Sequence, residues 1–81
     1  MSEKADVVLT LTHDEALVLF EWLAREDEKG AIPTEHPAER VALWRVQGQL
    51  ESTLVEPFLP DYLAIVAAAR ERVSPKEGGS A

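Results

Sequence analysis

The segment from residue 6 to residue 12, Asp-Val-Val-Leu-Thr-Leu-Thr, has the period-2 alternation that is typical of a half-buried β-strand. No later segment has this pattern. A lone strand leaves its backbone N–H and C=O groups without ladder partners, and such an edge favours pairing with another chain. We therefore predict a homodimer in which the strand pairs with its own copy, as an antiparallel ribbon across a two-fold axis. The predicted interface residues are Val7, Val8, Leu9, Thr10 and Leu11.

The strand also has a candidate partner within its own chain, at Ala31 and Ile32. Pro33 follows directly and lacks an N–H group, so that partner would be short, and the sequence favours pairing between chains. The size of the chain favours association as well. With 81 residues and no cysteine, it has a small core and no disulfides to supplement that core.

Three amphipathic helices are predicted after the strand, over about 13–28, 37–56 and 61–73. Thr12 and Glu15 have the spacing of a capping box before the first helix, and Gly30 suits the position just past its end. Pro57 cannot continue the second helix. The predicted fold class is mainly α, with one N-terminal β-strand followed by three helices. The predicted organisation is a flexible amino terminus over 1–5, a single small domain over 6–73 and a disordered tail over 74–81.

The second predicted helix carries apolar residues on two of its sides. One stripe consists of Leu43, Val46, Leu50 and Leu54, and the other of Val41, Trp44, Gly48 and Val55. A helix that is apolar on two sides is normally covered from two directions, so we predict that this helix lies at the centre of the core. Gly48 is predicted to allow a close helix contact beside Trp44.

The charge of the chain limits the partners that it can bind. Fifteen acidic against eight basic residues give a formal net charge of −7. Nucleic acids are bound largely through Lys and Arg, so we expect no general DNA or RNA binding, whereas a basic protein would suit this surface. No stretch approaches the ~20 apolar residues of a membrane span, and the chain does not start with a signal-peptide core. These features predict a cytoplasmic protein.

The sequence contains no recognisable constellation of catalytic, cofactor-binding or metal-binding residues. Neither His13 nor His36 lies in a nucleophile motif, and both are assigned ordinary surface or capping roles. The glycines lack the spacing that cradles phosphate, and no histidine pair has metal-ligand spacing on a helix face. The chain is therefore predicted not to be an enzyme.

Tryptophans are the remaining candidates for function, because they commonly dominate protein interfaces. Trp22 and Val18 lie away from the main apolar stripe of the first helix, and Trp44 lies on the second stripe of the second helix. The alternative is that both tryptophans complete the core of the monomer or dimer. The predicted partner or interface anchors are Val18, Trp22, Val41, Trp44, Gly48 and Val55.

Four strings, LTHDEALVLFEWL, AERVALW, LESTLVEPF and DYLAIVAAARERV, together resemble a family of small uncharacterised bacterial proteins. The resemblance covers most of residues 9–73. That family has no established activity, so the resemblance assigns no catalytic residue. It implies a bacterial, cytoplasmic and mainly helical protein.

Two classes of function follow from these observations. The leading hypothesis is a non-enzymatic protein–protein interaction module, a small acidic homodimer. A sharper form of it is an immunity- or antitoxin-like inhibitor of a basic partner protein. The hypothesis of the other class is a metal-dependent enzyme with a site at the dimer interface, assembled from His13, Asp14, Glu15 or His36.

Overall fold

The structure is a computed structural model that describes residues 4–75. It contains three α-helices, α1 (His13–Glu28), α2 (Pro37–Thr53) and α3 (Tyr62–Val73), with a short 3₁₀ turn at Glu56–Phe58. The mainly helical fold class predicted from the sequence is confirmed. Residues 1–3 of the predicted flexible terminus and residues 76–81 of the predicted tail lie outside the described residues.

Local side-chain chemistry sets both ends of α1. The Thr12 hydroxyl accepts from the Glu15 N–H at 3.1 Å, and the Thr12 N–H donates to Glu15 Oε1 at 2.9 Å. These two bonds form the predicted capping box. At the other end, Gly30 adopts a φ of 68°, and its N–H donates to the carbonyl of Asp27. Glycine adopts this left-handed conformation without steric cost, so the helix ends there.

Helix α1, not α2, occupies the centre of the fold. It packs against both other helices and contributes Leu17, Phe20 and Leu23 to the core. The other buried apolar residues are Leu54, Val66 and Ala69. Helix α2 has no buried residue, so the prediction that it forms the centre of the core is wrong. An apolar pattern shows which sides of a helix favour burial, but the neighbouring elements determine which of those sides are covered.

Helix α2 ends at Thr53, three residues before the predicted boundary. The hydroxyls of Ser52 and Thr53 both donate to the carbonyl of Gln49, at 3.0 and 2.8 Å. Leu54 then adopts extended backbone angles, and its side chain is buried in the core. The turn into the core therefore replaces the last helical turn, which had been predicted to continue up to Pro57.

The predicted β-strand at the amino terminus is wrong as an element of this fold. Among residues 4–75 there is no strand. We call the segment 4–11 the arm, and it forms no backbone hydrogen bond with any part of residues 4–75. Neither Ala31 nor Ile32 pairs with it. Alternation places side chains on two sides of an extended chain, but a strand also needs a neighbour's edge, and three helices offer none.

Candidate functional site

The histidine and carboxylates at the start of α1 contact other elements of the fold. His13 Nε2 hydrogen-bonds Glu56 Oε2 at 2.7 Å, and this bond lowers the pKa of the Glu56 carboxyl. Arg72 donates to both Asp14 oxygens, at 2.7 and 3.0 Å, and these bonds lower the pKa of the Asp14 carboxyl. Both contacts tie α1 to later parts of the chain.

His36 is the N-cap of α2. Its Nδ1 accepts from the Ala38 N–H at 3.0 Å, while the His36 N–H donates to Glu39 Oε1 at 3.3 Å. Together with Pro37 in the first turn, these bonds explain why the helix starts here. Within residues 4–75, no three histidine or acidic side chains are grouped so that they could hold a metal ion.

Tyr62 is the most perturbed titratable side chain in the described part of the chain. Its hydroxyl is buried and lacks a hydrogen-bond partner there. Burial, followed by the neighbouring Glu21 carboxylate, raises the pKa of this phenol well above its ordinary range. A raised pKa keeps the phenol protonated, so Tyr62 is unsuited to act as a base near neutral pH.

An apolar groove lies between α1, the end of α3 and the end of the arm. Its volume is about 600 Å³, and it is open to solvent. The lining residues are Thr10, Leu11, Glu15, Val18, Leu19, Trp22 and Val73. Glu15, Val18, Leu19 and Trp22 follow the spacing of one helix face, so this side of α1 forms the floor of the groove.

The lining of this groove is almost free of charge. Glu15 is the one ionisable residue in it, and its carboxylate already accepts from the Thr12 N–H. Leu11, Trp22 and Val73 remain 41%, 45% and 39% exposed. The groove therefore suits apolar contact, with a tryptophan available as an anchor.

The predicted anchors fall on two separate surfaces. Val18 and Trp22 meet in the groove beside Leu11, one of the predicted interface residues. Val41 and Val55 are exposed in and after α2. Leu19 and Val73 also line the groove but were not predicted there, because both fit the apolar stripes of α1 and α3 that were expected to face the core.

Trp44 is exposed on α2 and is held by polar contacts. Its Nε1–H donates to Asp27 Oδ2 at 3.2 Å, and the Arg40 guanidinium lies 6.0 Å from its ring centroid. Arg40 also donates to Asp27 Oδ1 at 2.7 Å. Apart from its chain neighbours and the backbone of its own helix, no described atom lies within 4 Å of the position that a Cβ at Gly48 would take, so the predicted close helix contact there is absent.

Comparison with models of known protein families, with curated proteins and with solved structures finds no match to this chain. Among residues 4–75, no helix is both long enough and apolar enough to cross a bilayer. The groove and the arm beside it are therefore the candidate functional surfaces of the described part of the chain.

Proposed function

We propose that this chain is a non-enzymatic protein–protein interaction module that works as a cytoplasmic homodimer. The observation that carries the proposal is the exposed apolar arm beside the apolar groove. Val7, Val8 and Leu9 are 86%, 83% and 80% exposed, although nothing in their chemistry favours contact with water. A second copy of the chain offers a matching apolar surface.

The balance between buried and exposed apolar side chains supports association. Among residues 4–75, thirteen large apolar residues are exposed, whereas the buried core consists of six residues. Burying one Val or Leu side chain contributes about 1.5–3 kcal/mol. Val7, Val8 and Leu9 therefore offer a substantial driving force for association, and a two-fold dimer contains two copies of each.

The polar groups considered for an enzyme already make contacts within the fold. The alternative, a metal site at a dimer interface, would be assembled from His13, Asp14, Glu15 or His36. His13 is bonded to Glu56, Asp14 to Arg72, and His36 caps α2. Moving these side chains into a shared site would break two contacts that tie α1 to later parts of the chain and the cap of α2, which supports the interaction module.

Light scattering on the intact chain and on a chain that lacks residues 1–11 tests the proposal. We expect the intact chain to have twice the mass of one copy and the shortened chain to have the mass of one copy. The helical circular dichroism should stay the same, because the arm makes no backbone hydrogen bond to the helices.

A matched pair of point variants separates the arm from general surface hydrophobicity. Leu9→Asp and Leu63→Asp introduce the same charge at leucines that are 80% and 72% exposed. Leu9→Asp should yield monomers, whereas Leu63→Asp should remain dimeric. An intact chain with the mass of one copy, or two variants that behave alike, would contradict the proposal.

A further inference from the structure

We infer that the dimer forms by arm exchange, in which the arm of each copy lies in the groove of the other copy. This inference rests on the proposed homodimer and specifies which surfaces meet. It replaces the antiparallel ribbon of two arms by two equivalent arm–groove contacts. Each contact buries Val7 and Leu9 of one copy against the Trp22 side of α1 in the other.

One apolar side of the arm faces the groove at Leu11. The same side continues along the outer part of the arm, where it is exposed. Leu11 lines the groove, and residues 7, 9 and 11 share one side of an extended chain. Val7 and Leu9 therefore carry the same apolar side outward, where they are 86% and 80% exposed. The outer part of the arm thus has the chemistry that fits the groove but lies outside the groove of its own chain.

The arm and the groove also match in length. The groove floor runs from Glu15 to Trp22 on α1, a rise of about 10 Å along the helix axis. Three residues of extended chain span about 10 Å as well. Val7, Val8 and Leu9 can therefore cover the floor from end to end.

Only the last two residues of the arm, Thr10 and Leu11, line the groove of their own chain. Thr12 has extended angles, with φ −67° and ψ 163°, and the capping box holds it there. To cover its own groove, the arm would have to reverse direction between Val7 and Thr12. That segment contains no Gly, Pro, Asn or Asp, the residues that form tight turns. The arm of a second copy can lie in the groove without such a reversal of the chain.

Two exchanged arms cover an area that is typical of weak, reversible complexes. At about 25 cal/mol per Å², the transfer energy of one Val or Leu side chain corresponds to roughly 100 Å². Because Val8 points to the opposite side of the arm, only Val7 and Leu9 face the groove. With an equal area of groove and two-fold symmetry, these two residues per arm give about 800 Å², below the size of standard interfaces. The exchange alone therefore favours a reversible dimer, whose average mass depends on concentration.

Crosslinking between two single-cysteine variants tests the arm exchange. The chain has no cysteine, so Leu9→Cys and Leu19→Cys each introduce a unique thiol, one in the arm and one in the groove. A short bismaleimide added to a mixture of the two variants should link unlike chains several-fold more than like chains. The matched control replaces Leu19→Cys by Leu63→Cys, an exposed site outside the groove, and should remove this preference.

The other outcomes separate this inference from the proposed function. A dimer by mass in which Leu9→Cys links mainly to its own copy would indicate a ribbon of two arms. That result would overturn the exchange and keep the homodimer. A link between Cys side chains within one monomeric chain of the double variant Leu9→Cys and Leu19→Cys would overturn both the arm exchange and the homodimer. A monomeric mass without any link between chains would also overturn the arm exchange and the homodimer.

Discussion

Helices α1 and α2 both carry apolar residues on more than one side, but they bury them differently. Helix α1 has three buried residues and contacts both other helices, whereas α2 has none. Helix α2 is attached in part by polar contacts, in which Asp27 of α1 accepts from Arg40 and Trp44. The contrast shows that the position of a helix in the fold, and not its apolar content, decides which side chains are covered.

The same contrast exists between two sides of α1 itself. Leu17 and Leu23 are 1% and 2% exposed on the side that faces the core. On the groove side, Trp22 is 45% exposed, and no described element covers it. The core side holds the monomer together, and in our account the groove side joins two copies.

The largest expected effect comes from the core side of α1. Leu17→Ala removes a fully buried side chain and should lower the free energy of unfolding by about 2–5 kcal/mol. Val41→Ala, at a 56% exposed site on α2, should change it by less than about 0.5 kcal/mol. Urea unfolding followed by circular dichroism measures both. Equal losses would mean that α2 is buried as deeply as α1.

The next largest effect concerns the groove side. Trp22→Ala removes the main anchor and should weaken dimer formation by about 30-fold, the effect of a 2 kcal/mol hot spot. Trp44→Ala, at a similarly exposed tryptophan on α2, should leave the dimer affinity unchanged. Dilution followed by light scattering measures both affinities. If Trp44→Ala weakened the dimer more than Trp22→Ala, the result would indicate that the interface lies on α2.

The polar attachment of α2 can be tested at Asp27. Asp27→Ala removes the acceptor for both Arg40 and Trp44 and should cost about 1 kcal/mol. Amide hydrogen exchange should become faster in α2 than in α1. Glu28→Ala is the control, because it removes the same charge from the neighbouring exposed position. Equally fast exchange in the two variants would show that Asp27 does not hold α2.

Two glycines give a smaller effect with opposite signs. Gly48→Ala should raise the free energy of unfolding by about 0.5–1 kcal/mol, because alanine favours the helix and its Cβ meets open space. Gly30→Ala should lower it by about 1 kcal/mol, because a φ of 68° strains any side chain. Thermal unfolding measures both. A destabilising Gly48→Ala would indicate a close contact there, as the sequence predicted.

The smallest effect is the pH dependence of the contacts at the start of α1. Arg72 and His13 lower the pKa values of Asp14 and Glu56, so their contribution to stability is present above the ordinary carboxyl range. It is lost as the pH falls through the lowered values. Arg72→Met should return the Asp14 pKa to its ordinary range in an NMR titration. Arg70→Met, in the same turn, should leave it lowered.

Helix α1 was predictable from the sequence because short-range chemistry determines it. Thr12 and Glu15 form a capping box within one turn, and Gly30 ends the helix through its own backbone. The position of α2 was not predictable, because its two apolar stripes do not reveal that Leu54 turns into the core after the helix. Which helix lies at the centre depends on contacts between residues distant in sequence.

The groove was predictable only in part. Trp22 and Val18 were recognised because they lie off the main stripe of α1. Val73 joins them only through the packing of α3 against α1, and no local pattern signals this. The alternation at residues 7–11 identified the arm as an apolar extended segment. It did not reveal that this segment forms no strand within the part of the chain that the structure describes.

Sedimentation equilibrium of the intact chain over a wide concentration range tests the central claim most directly. If the arm and the groove are covered by a second copy, the average mass should rise with concentration and level off at twice the 9.0 kDa of one chain. A mass that stays at 9.0 kDa at every concentration would contradict the account.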